Sequence, residues 1–259
     1  MKLKRDSLAK VHEEMARLKA ESTGGFHTNY FRQEMTGSEI MTATTSRTVL
    51  VLNNELDFFR LYFFTTDSAD LEQVLGSMEF PGETVTGHLT RSADGKVADV
   101  FHRTGFNLIA RYRRMITYQL PCYRPNVSLE YATVTDLDDL YKALFQTFNK
   151  YTDHLPTKER LRRYIENEWV IVNRDVDRIT GAVCFQLEGS RVNYNYIYNL
   201  TGDPLGFMRL QNNFYAVMHQ RGIRAGFLWI NDAENNLAKL YQSMGWQFDG
   251  LKDHFYFRS

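Results

Sequence analysis

Chemistry in this chain is concentrated in hydroxyl and amide side chains. The clearest pattern is Leu240-Tyr241-x-x-x-Gly245-Trp246, one exposed tyrosine near a helix end followed by glycine and an aromatic. Tyr194, Tyr196 and Tyr198 alternate along a strand, which sets them on one face and Asn193, Asn195, Ile197 and Asn199 on the other. Three hydroxyls are costly to bury without partners, so part of that face is expected to line a polar cleft. Asp153-His154 lies in a polar loop, where an imidazole is a candidate base, although a lone loop histidine is more often solvated. The seven histidines show no metal-ligand spacing, and Cys122 and Cys184 are too few for a disulfide framework or a four-cysteine metal site.

The elements that must position these groups follow from local pattern. Phe227, Trp229 and Ile230 form a short strand; Asn231 and Asp232 end it and can cap the next helix. Leu237, Leu240, Tyr241 and Met244 recur at helical spacing, and Gly245 sits where a helix end favours a left-handed glycine. Upstream, residues 128–132 predict a strand, Thr135-Asp136 starts a helix, and Thr157 caps another over 158–167. Strands over 169–173, 178–188 and 191–200 follow, then a helix over 205–220, and after the Gly245 turn one strand beginning at Trp246 and a last strand around 254–257.

In the first half, residues 2–21 predict an amphipathic helix with Leu8, Val11, Met15 and Leu18 on one face, and 22–46 reads as loop with room for a short helix. A hairpin joins strands 48–52 and 58–65; a helix over 69–78, a strand over 84–90, a helix over 96–104 and a strand over 106–118 complete it. Pro121-Cys-Tyr-Arg-Pro125 is the linker candidate, giving domains over 1–120 and 126–259. The fold class expected is α/β (α+β), with a mixed, mostly antiparallel sheet flanked by helices.

Composition narrows the function classes. With 259 residues, 43% of them hydrophobic, the chain can build a packed core, and its formal net charge of zero supplies no field for nucleic acid or an anionic membrane. The first residues lack the apolar run of a signal peptide, and the densest apolar stretch, Phe58–Phe64, is too short to span a bilayer. A cytoplasmic protein without nucleic-acid or membrane partners is expected.

The element order over 127–259, with its Leu240-Tyr241-x-x-x-Gly245-Trp246 ending, resembles the GNAT superfamily of acyl-CoA-dependent N-acyltransferases. That family writes the ending Asn-x-x-Ala-x-x-Leu-Tyr-x-x-x-Gly-Phe. Trp246 stands for the phenylalanine, while Glu234 and Leu237 fall on the asparagine and alanine. The resemblance implies that two central strands part and that acetyl-CoA or another acyl-CoA lies in the gap, with no metal. Its donor contacts would be Tyr198, Leu200 and Thr201 on the strand, Gly206, Phe207 and Met208 at the next helix start, and Asn235 and Asn236. Tyr241 would be the catalytic acid, with Tyr194, Tyr196 and His154 on the side of a small amine acceptor. A homodimer is a further expectation. The phosphate loop departs from the family pattern, because Asp203 replaces a cation or amide and Met208 a small residue. A binding or scaffold protein without acyl transfer is therefore the rival reading.

Residues 97–106 align without a gap on 237–246, with Phe101 at the position of Tyr241. The first half therefore reads as a second, reduced GNAT-like lobe with a structural role.

Overall fold

A computed structural model describes residues 2–22, 25–29, 40–55, 57–91, 95–124 and 129–259. The chain divides into two compact units, Met1–Tyr112 with Leu251–Ser259 as unit 1 and Arg113–Gly250 as unit 2. The linker candidate at Pro121 falls inside unit 2, and Pro125 to Ser128 lie outside the described residues.

In unit 1, β1 (Lys4–Asp6) precedes α1 (Leu8–Glu21), so the expected helix over 2–21 starts later. Ser7 stops the strand and caps the helix, its hydroxyl accepting from the amide of Lys10 at 3.3 Å. Within the stretch expected as loop, β2 (His27–Thr28) and β3 (Ile40–Thr44) form; 23–24 and 30–39 are outside the described residues. The hairpin of β4 (Thr48–Glu55) and β5 (Phe58–Thr65) follows, then α2 (Ser68–Gly76), β6 (Thr84–Thr90), α3 (Lys96–Arg103) and β7 (Asn107–Thr117). The unit 1 sheet runs β1-β3-β4-β5-β6 and is continued beside β6 by the chain's final strand. Helices α2 and α3 cover one face with Leu71, Val74 and Phe101, while α1 covers the other with Val11 and Leu18.

Unit 2 opens with β8 (Glu130–Tyr131) and a short 3-10 turn at Val134–Asp136 that leads into α4 (Leu137–Thr147), then α5 (Lys158–Glu166). The meander β9 (Val170–Asp175), β10 (Arg178–Glu188) and β11 (Arg191–Asn199) is followed by α6 (Pro204–Gln220), β12 (Ala225–Asn231), α7 (Asn235–Ser243) and β13 (Gln247–Arg258). The two strands expected after α7 are thus one. The sheet order is β7-β12-β11-β10-β9-β8, with α4 and α5 packed on one face and α6 and α7 on the other. Both unit divisions fall inside strands, β7 and β13.

Candidate active site

The site is built where β11 and β12 part. They pair in parallel from Arg191↔Ala225 to Tyr194↔Leu228, and among the described residues no strand pairs with that edge of β11 beyond Tyr194. Gly226 allows the close start of this pair, since a Cβ there would stand 2.8 Å from Val192 Cγ1. An irregularity then changes the strand. In the register with β10, Phe185 pairs with Tyr194 and Cys184 with Tyr196, so Asn195 is bulged out.

The bulge corrects the expected tyrosine stripe. Tyr194 packs with Phe214 and Tyr241 on the α6/α7 face, whereas Tyr196 and Tyr198 belong to the α4/α5 core. One extra residue reverses the alternation, and the periodicity of the sequence cannot reveal it. The Asn195 amide is pinned by donating to the Tyr164 hydroxyl at 3.2 Å. Tyr196 donates to the His154 carbonyl at 2.7 Å, so its hydroxyl fixes the loop carrying His154, whose φ is +48°. Burial holds the Tyr196 and Tyr198 hydroxyls firmly protonated, well above the usual phenol range.

Tyr241 lies at the point of separation. Its ring meets that of Tyr194, the last residue of the ladder, at 6.0 Å, and that of Trp246 at 6.0 Å. It is 2% exposed, in contrast to the exposed tyrosine expected from the helix pattern. The local cause is the helix end: Gly245 has φ +89°, and the Trp246 amide donates to the Tyr241 carbonyl at 3.1 Å. That turn swings Trp246 back over the helix, where its indole donates to the Tyr215 hydroxyl at 3.0 Å. Burial, the largest influence, pushes the Tyr241 hydroxyl up to about 12, and Tyr194 and Gln211 pull it down only in part. It is therefore protonated at neutral pH.

Gln211 was not legible as a site residue. It is 0% exposed, beside Tyr194 and Tyr241 on the inner side of α6. Its amide is close enough to favour ionisation of both hydroxyls, yet its own polar atoms and the Tyr194 hydroxyl reach no partner at hydrogen-bond geometry. The run Gln211-Asn212-Asn213 between the apolar residues Leu210 and Phe214 was the available signal.

The start of α6 is closed by its own chain. Asp203 accepts from Leu205 N at 3.0 Å and Gly206 N at 3.1 Å through its two carboxylate oxygens. Asn199 holds the turn by donating to the Asp203 carbonyl at 2.6 Å, and Thr201 bonds back to Asn199 at 3.0 Å. A Cβ on Gly206 would meet Asn199 at 3.1 Å. Leu200, Thr201 and Leu205 are exposed; Phe207 and Met208 are partly buried. The residues expected to hold a diphosphate do not fit one. Neither Asn231 nor Asp232 caps α7 as expected: Asn231 accepts from Ala233 N at 3.0 Å, Asp232 pairs with Arg113, and the helix starts after Glu234 with Asn235 and Asn236 exposed.

Unit 1 repeats this architecture with a different filling. Its β5 and β6 pair in parallel from Phe59↔Thr84 to Leu61↔Thr86. Past that point β2 lies along β5, with His27↔Thr65 and Thr28↔Phe64. Because β4 holds the other edge of the same residues, β2 stands on the side from which β6 has parted. Asn29 then spans the gap, donating to Leu61 O at 3.0 Å and Gly87 O at 2.9 Å and accepting from Phe63 N at 2.8 Å. Helix α3 ends as α7 does, with Gly105 at φ +86° and Phe106 N bonded to Phe101 O at 2.9 Å. Phe101 itself is 0% exposed.

No helix among the described residues is long and apolar enough to cross a membrane, and none of their His, Cys, Asp or Glu groups is arranged to hold a metal ion. No protein-family model matches the sequence, and no curated protein matches it. Solved structures do. A GNAT-family acetyltransferase from Colwellia psychrerythraea superposes with a TM-score of 0.60 at 10% identity, covering 99% of each chain. A GCN5-related N-acetyltransferase from Sphaerobacter thermophilus gives 0.58 at 12% identity over 86% of this chain and 81% of that one. A tandem GNAT protein from the clavulanic acid biosynthesis pathway gives 0.56 at 11% identity over 99% and 98%. The parting strands, the helix ends and these superpositions agree: the chain has the GNAT superfamily fold in a two-lobe form.

Proposed function

We propose that the chain is an N-acyltransferase that moves an acyl group, with acetyl as the simplest case, from a thioester donor to a small amine or amino-acid-like acceptor. The observation that carries this reading is Tyr241, a protonated hydroxyl set where β11 and β12 separate. The open edge of β11 offers backbone amides and carbonyls to an extended donor arm. The acceptor amine attacks the thioester carbon, the carbon–sulfur bond breaks, the Tyr241 proton passes to the departing sulfur, and the proton shed by the amine nitrogen returns through solvent to restore the Tyr241 hydroxyl. The unpartnered atoms of Tyr194 and Gln211 leave polar groups beside that hydroxyl for the bound pair.

The test is thiol release from acetyl thioesters with a panel of small amines. Tyr241→Phe is expected to lower turnover about 10²-fold with little change in donor affinity. An unchanged rate removes Tyr241 from the acid role. A second reading, a binding protein that keeps the fold without transfer, is favoured by the closed start of α6. Donor binding without thiol release from any amine would establish it.

A further inference from the structure

The two halves of the donor gap differ in what they can hold. Along β11 beyond Tyr194 a strand edge is open, and an edge of this kind pairs with an extended chain that carries amides. The corresponding edge in unit 1 is taken by just such a chain, the backbone of His27 and Thr28. At the start of α6 the situation is reversed. A helix start binds phosphate through free amides and its dipole, but here none of the first-turn donors is free. Pro204 has no amide hydrogen, and Asp203 carboxylate oxygens occupy Leu205 N at 3.0 Å and Gly206 N at 3.1 Å. Phe207 N is already bonded to the Asp203 carbonyl at 3.3 Å. The carboxylate thus sits on the amides a phosphate would use, and its charge repels another anion.

The cap is held rather than hanging loose. Thr201 Oγ1 accepts from Asp203 N at 3.2 Å, and Asn199 fixes the Asp203 carbonyl from the strand side at 2.6 Å. Two large apolar side chains, Leu200 at 51% and Leu205 at 70%, are exposed beside the capped turn.

We propose that this site does not recognise its thioester donor through a nucleotide diphosphate, with Asp203 as the specificity-determining residue that holds the α6 amides against one. The inference rests on the acyltransferase reading and narrows its donor.

Calorimetry with S-acetylpantetheine and acetyl-CoA on the whole protein tests it. The expected result is that acetyl-CoA binds no more than about tenfold tighter than S-acetylpantetheine. Asp203→Ser, which keeps a capping oxygen and removes the charge, should tighten acetyl-CoA selectively. A preference above about tenfold for acetyl-CoA in the parent protein would overturn the proposal while leaving the acyltransferase reading in place. Binding of neither ligand would overturn both. Should Asp203→Ser fail to fold, the parent comparison alone decides.

Discussion

The two units share one plan and differ in what occupies the gap between their parting strands. In unit 1, β2 and Asn29 fill the space between β5 and β6, and the buried helix position aligned with Tyr241 carries Phe101. In unit 2 the edge of β11 beyond Tyr194 is open, and the matching position carries Tyr241. Both helices that follow the first parting strand are capped by aspartate: Asp67 accepts from Ala69 N at 2.9 Å, and Asp203 from two amides of α6. The lesson is that the fold does not by itself make a site. The same strand separation is a packed joint where the chain fills it and an open edge where the chain leaves it.

The filled joint can be broken. Asn29→Ala removes the side chain that ties Leu61, Phe63 and Gly87 together and leaves buried backbone groups unpaired. It is expected to cost about 3 kcal/mol by chemical denaturation, with donor affinity in unit 2 unchanged. A loss below about 1 kcal/mol would mean that Asn29 does not close the gap.

A smaller effect sharpens the contrast through pH. Next to the joint, Asp253 on β13 and His88 on β6 are enclosed, with Asp253 Oδ1 and His88 Nδ1 lacking partners. Burial raises the Asp253 carboxyl to about 7 against the opposing pull of Arg60 and the His88 amide. Burial also lowers His88 to about 4, helped by His27 and His254. The signs oppose each other. The raised carboxyl makes the folded state bind more protons than the unfolded one, so its contribution falls from about pH 4 to about pH 7. The lowered imidazole makes the folded state bind fewer, so its contribution rises from about pH 4 to pH 6.5. Asp253→Asn removes the first and leaves the second. Its melting temperature should therefore climb over that interval more steeply than the parent's. Parallel pH profiles for the two proteins would show that Asp253 does not titrate within it.

Much of the fold was legible because its signals are local. The β6 strand and the β10 strand were readable to the residue from β-formers between turn residues, and both Gly105 and Gly245 announced left-handed helix ends. The ungapped match of 97–106 to 237–246 showed the repeat, since the same helix end recurs with the same hydrogen bond. What escaped depends on partners far away in sequence. The strand β2 is too short to carry a periodic pattern and exists because β5 offers an edge. The bulge at Asn195 is a feature of pairing, so the tyrosine faces were misassigned, and Tyr241 is buried by the return of Trp246 over its helix. Asp203 was visible as a departure; its occupation of two amides needed the structure.

Hydrogen exchange of the backbone amides, with and without saturating S-acetylpantetheine, tests the open-against-filled contrast most directly. Protection is predicted along Asn195–Asn199 of β11, with the corresponding stretch Tyr62–Thr65 of β5 unchanged. Protection in β5, or none in β11 at saturation, would contradict the account.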